Sequence, residues 1–167
     1  MCSSDLDLSD LYAGLDDPAI DADLAALQNK ASEFRIAYRG NVANLGAGEI
    51  AAALTKLAEI GQKLEYIVAY PMLTFSANTR DADAKKAQAR LREAATDLDN
   101  LLLFFELELK DLSVDRLKTL QADTALTDYH HYLNRTIEAR PHKLEEAVEQ
   151  TRNKDSLTGR QIGRAHV

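Results

Sequence analysis

Apolar residues return along most of this chain at steps of three and four, the spacing that lines one face of an α-helix. The first such stripe is Ile20, Leu24, Leu27, Ala31, Phe34 and Tyr38. Asp17-Pro18 supplies its N-cap and a proline in the first turn, and Gly40 stops it. Gly46 and Gly48 precede a second stripe of Ile50, Leu54, Leu57, Ile60, Leu64 and Ile67. Gly61 lies inside this helix, and Pro71, which has no N–H to give, predicts a kink or a stop near its end. The polar stretch SANTRDAD, residues 76–83, predicts a turn. A third helix is expected from about Asp83 to Leu112, on a stripe that begins Ala84, Ala87, Leu91, Ala94 and continues Leu98, Leu101, Phe105, Leu109, Leu112. The small residues come first, so a partner helix can approach closely near the turn. A helix of about 30 residues is roughly 45 Å long. Two of them joined by a short polar turn make an antiparallel hairpin.

Ser113 caps a short helix through Leu120, a further helix is expected from Thr127 to Ala139, ending before Pro141, and a last one from His142 to about Lys154. No strand pattern and no internal repeat is visible. The fold expected is all-α, a helical bundle with a long antiparallel helical hairpin followed by shorter helices.

Composition narrows the function more than it defines it. The 167 residues fit one domain, and only seven are Gly and three Pro, which suits helices. The formal net charge is −7, which argues against a nucleic-acid partner. The longest apolar run, Leu101 to Phe105, is far short of the roughly 20 residues a membrane span needs. MCSSDLDLSD has neither a basic n-region nor an apolar h-region, so it does not read as a signal peptide. Cys2 is the single cysteine, so the chain has no internal disulfide. A cytoplasmic location without membrane attachment is expected.

The two ends look foreign to the rest. IGRAHV, residues 162–167, can be encoded by ATC GGA AGA GCA CAC GTC. The reverse complement of that string, started at GTG, reads Met-Cys-Ser-Ser-Asp, which is Met1 to Asp5. Both ends resemble one sequencing-library adapter read in opposite senses. Residues 1–6 and 162–167 therefore read as adapter-derived, and the fold is expected to lie in 7–161.

Candidate chemistry is sparse. TDYHHYLNRTIEARPHKLEE, residues 127–146, holds His130, His131 and His142, with Glu145 and Glu146 following. A zinc-peptidase helix needs H-E-x-x-H, and no histidine here precedes a Glu. His130 and His131 point about 100° apart on a helix and do not share one ion easily. His142 with Glu145 or Glu146 is at most a two-ligand pair, and acidic residues in a first helical turn are explained by the macrodipole. In FFELELKDL, residues 104–112, Glu106 and Glu108 read as carboxylates on the wetter flank of a core helix, too divergent for a paired acid/base role. Tyr66, Tyr70, Tyr129 and Tyr132 either line a ligand cavity or, as is commoner, bury their rings and bond their hydroxyls at a domain edge. Gly46-Ala47-Gly48 is a helix start and not a phosphate loop, and the sequon Asn134-Arg135-Thr136 lies inside an expected helix. No catalytic, metal-binding or cofactor-binding residue is assigned on these grounds.

Several segments, in order, resemble a known family. They are DLSDLYAGLDDP near the start, YRG at 38–40, YPMLTFSANTRDAD at 70–83, LLLFFELEL at 101–109, YHHYLNR at 129–135, ARPHKLEE at 139–146 and SLTGR at 156–160. Together they resemble the N-terminal region of oligoendopeptidase F, a PepF-type zinc oligopeptidase, over nearly all of 7–161. Members often carry a Trp before the position of Asp7, where Leu6 stands here, and a Ser-Glu pair where this chain has Glu145-Glu146. The resemblance implies a parent that hydrolyses short peptides at a zinc held by H-E-x-x-H and a further Glu, with the motif's Glu as general base. Those positions would lie beyond Gln161, so this chain would itself hold no cofactor. It would form the wall or lid of the peptide channel, and its partner would be the missing C-terminal catalytic domain. The alternatives are a free-standing helical protein–protein interaction module and a small hydrolase using Glu106, Glu108 and the histidines.

Overall fold

A computed structural model describes residues 8, 11–140 and 145–162, the side chains of 156–162 excepted. Among the described residues there are six α-helices, two 3-10 turns and no strand. The helices are α1 (Pro18–Tyr38), α2 (Ala47–Ala77), α3 (Ala82–Asp111), α4 (Val114–Gln121), α5 (His130–Ala139) and α6 (Glu146–Ile162). The all-α expectation holds, and so does the long hairpin: α2 and α3, of 31 and 30 residues, are joined by 78–81.

The sequence signals act locally as their chemistry requires. Asp17 accepts from the Ala19 amide at 2.9 Å and starts α1. Gly40, with φ of 76°, takes the left-handed conformation that ends it. Asp81 accepts from the amides of Asp83 and Ala84 to start α3, and Ser113 accepts from the Arg116 amide to start α4. The Gly46 amide donates to the Glu49 carboxylate at 2.8 Å, so α2 begins where the glycine pair is.

Three boundaries differ from expectation. α2 does not stop at Pro71 but continues to Ala77. The proline is buried, and beyond it Thr74 and Ser76 return hydrogen bonds to the Tyr70 and Met72 carbonyls. Thr127 does not begin an α-helix. It lies in a 3-10 turn, Thr124–Tyr129, started by Asp123 and bent at Leu126 (φ −111°, ψ 15°), and α5 starts at His130. α6 starts at Glu146 and runs past Lys154 to Ile162. The expected start at His142, with Pro141, lies outside the described residues.

Helices α1 to α3 form the main layer. Arg90 pairs with Asp21, while Phe34 meets Phe104 and Phe105, so α1 runs parallel to α3 and antiparallel to α2. α6 lies antiparallel on α3, since Gln150 reaches Asn100 while Lys154 reaches back to Asp97. Two apolar clusters fill the interior. One gathers Phe34, Ile50, Phe104, Phe105, Leu117 and Leu133, where α4 and α5 close the end of the hairpin. The other gathers Ile20, Leu27, Ile60, Ile67, Leu91 and Leu98 towards the turn. Burying each large side chain contributes roughly 1.5–3 kcal/mol.

Candidate functional site

The third helix has a second face. Besides the core stripe, Asp99, Leu102, Leu103, Glu106 and Lys110 recur at helical spacing and line a cleft of about 420 Å³. Helix α2 closes it with Leu57, Ile60, Gly61 and Leu64, α5 with Tyr132, and α6 with Glu149 and Asn153. Apolar side chains and polar rim groups share its lining.

The rim groups are not equivalent. Lys110 is paired with Glu106 one turn away, and its side chain is only 12% exposed. Asp99 has no such partner among the described residues, and burial pushes its carboxyl above the usual range. Tyr132 is held well above the ordinary phenol range, by burial first and then by the charge of Glu106, so it stays a neutral hydroxyl. Asn153 donates to the side chain of Asn100 at 2.9 Å, while the Asn100 amide nitrogen is buried without a partner. A neutral phenol, the Glu106–Lys110 ion pair and the two further carboxylates of Asp99 and Glu149 suit binding and orientation better than proton transfer.

The residues singled out from sequence do not converge. His130 and His131 are exposed at the start of α5. His130 Nδ1 lies 3.3 Å from Gln121 Nε2, which also donates to Asn134 Oδ1 at 2.6 Å. His130 and the sequon's Asn134 thus belong to one polar contact between α4 and α5. His142 lies outside the described residues. Glu106 and Glu108 diverge as their spacing required. Glu108 turns to the α1–α2 connection, where it accepts from the amides of Gly40 at 2.8 Å and Val42 at 3.4 Å. Of the four tyrosines only Tyr132 lines the cleft. Tyr70 packs its ring edge-on against Tyr12 at 5.4 Å, Tyr129 bonds the Thr55 hydroxyl at 2.8 Å, and Tyr66 is exposed.

Asp99, Lys110, Glu149 and Asn153 were not visible as a group in the sequence. The available signal was Leu101-Leu102-Leu103, an apolar run too wide for one buried stripe. Among the described residues no three of His, Cys, Asp and Glu are grouped so as to hold a metal ion. The donor set therefore does not fit a zinc site, and no step through a metal is derived for it.

No curated protein and no solved structure matches the chain significantly. Residues 108–166 do match the family model described as Oligopeptidase F. The matched span covers the last turn of α3 and everything after it, with Lys110, Tyr132, Glu149 and Asn153 of the cleft, and it takes in 162–166. Over that span, about the last third of its length, the chain is similar to the N-terminal region of oligopeptidase F.

Proposed function

We propose that residues 7–161 form the non-catalytic N-terminal lobe of a zinc metalloendopeptidase that hydrolyses short peptides in the cytoplasm. The lobe is a wall or lid of the peptide channel, and its partner is a C-terminal catalytic domain of the same protein. The match of 108–166 to the Oligopeptidase F model carries this reading. Zinc belongs, in this reading, to the catalytic domain, and 1–6 and 162–167 are adapter-derived.

The test is to sequence the genomic locus on both sides of this frame. The expected result is an open frame that continues past Gln161 and encodes H-E-x-x-H. A stop codon directly after residue 161 would make the chain a free-standing helical module and overturn the proposal. Independently, the purified chain should retain no stoichiometric zinc. One tightly held zinc, lost in the His130→Ala, His142→Ala double variant, contradicts the reading.

A further inference from the structure

Helix α6 packs inside out. Between Glu146 and Asp155, the side chains partly covered by the bundle are Glu146, Glu149, Gln150 and Asn153, spaced as one helical stripe, and none is apolar. Val148, the one large apolar side chain of that stretch, is 51% exposed. None of these side chains is buried, whereas each of α1 to α5 buries at least one leucine. What joins this stretch to α3 and to the end of α1 is polar. Asn153 donates to the Asn100 side chain at 2.9 Å, and Gln150 to the Asn100 carbonyl at 3.4 Å. Lys154 pairs with Asp97 at 3.8 Å, both side chains 64% exposed, and Glu146 pairs with Arg39 at 2.9 Å. Ion pairs this open to water hold little. Asn100 is buried, yet its amide nitrogen has no partner, which burdens the docked state.

We propose that α6 is a releasable strap: it leaves the bundle as a unit while α1 to α5 stay folded, and its departure removes the Glu149 and Asn153 wall of the cleft. Water replaces a polar contact at little cost, whereas an apolar face resists exposure. The Asn100 amide also gains water as a partner on release. Once free, a helix of 17 residues has little stability of its own, so release and melting go together. The strap rests on the contacts of α6 with α3 and Arg39, so it holds or fails independently of the channel reading.

Amide hydrogen exchange of the 167-residue chain, followed by NMR, tests this. The amides of residues 150–155 should exchange at least about 100-fold faster than those of Leu64, Leu98 and Phe105, with near-equal opening constants along the stretch. Asn100→Leu together with Asn153→Leu exchanges the polar contact, and the unpaired amide with it, for an apolar one. That variant should slow exchange in α6 by about tenfold or more. Val148→Ser, at an exposed position, should change α6 exchange by less than about twofold. Four results would each overturn the proposal: α6 exchanging only as slowly as Leu98, protection that declines steadily towards Ile162 as simple end fraying gives, α6 exchange no slower in the Asn100→Leu, Asn153→Leu variant, or a larger effect of Val148→Ser.

Discussion

The Glu108 carboxylate and the Gly40 amide lie 2.8 Å apart across 68 residues of chain. The same carboxylate also reaches the Val42 amide. α3 thereby supplies the acceptor that the left-handed turn after α1 cannot supply for itself, and the turn is fixed by tertiary structure. Glu108→Ala should lower stability by about 1–3 kcal/mol, because two amides lose a charged acceptor. Glu108→Gln, which keeps one oxygen, should cost less. Urea denaturation of the two variants checks the order. Equal losses would mean that charge, and not hydrogen bonding, holds the turn.

Phe105 is fully buried and meets Phe34, Tyr38 and Phe104 edge-on. Phe105→Ala should cost about 3–5 kcal/mol. Tyr66→Ala, on an exposed face of α2, should change stability by no more than about 0.5 kcal/mol. Thermal melts followed by circular dichroism separate the two. Similar effects would mean that the aromatic cluster is not a packed core.

Tyr12 ties the segment before α1 to the bundle, with its hydroxyl donating to Asp23 at 3.0 Å. Burial, and then that hydrogen bond and the Asp23 charge, push its phenol from 10.0 up to about 12. A folded value raised above the unfolded one gives stability that is complete below the unfolded value and lost as pH rises through the folded one. Stability should therefore fall between about pH 10 and 12, and Tyr12→Phe should flatten that part of the profile. An unchanged slope in Tyr12→Phe would place the loss on other groups.

Gly61→Ala should stabilise the chain by roughly 0.5–1 kcal/mol, because the added methyl enters open space and the helix interior loses a glycine. Chemical denaturation measures this directly. A destabilisation would show that α2 needs conformational freedom at this point.

The stripes on α1, α2 and α3 were legible because one buried face imposes a helical period over many turns, and Ile20, Ile50 and Leu91 are buried as that period required. Asp17, Asp81 and Ser113 were legible as caps, or as the polar turn that holds one, because their effect is local. The partner of Glu108 was not, because its meaning comes from a turn 66 to 68 residues earlier. Pro71 was read through its missing N–H, but whether a helix survives that loss depends on burial against neighbouring elements. The cleft was hidden for the same reason. Asp99, Tyr132 and Glu149 become neighbours only when α5 and α6 fold back on α3.

The two apolar clusters described above share one flanking side chain among the described residues, Leu102, which packs against both. Cooperativity between the ends of the molecule therefore passes through a narrow waist on α3. The end towards the hairpin turn and the end closed by α4 and α5 should open as separate units in amide hydrogen exchange, each with its own free energy. Enlarging or deleting the side chain at 102 would change how tightly those two openings are correlated, with little effect on the average protection of either.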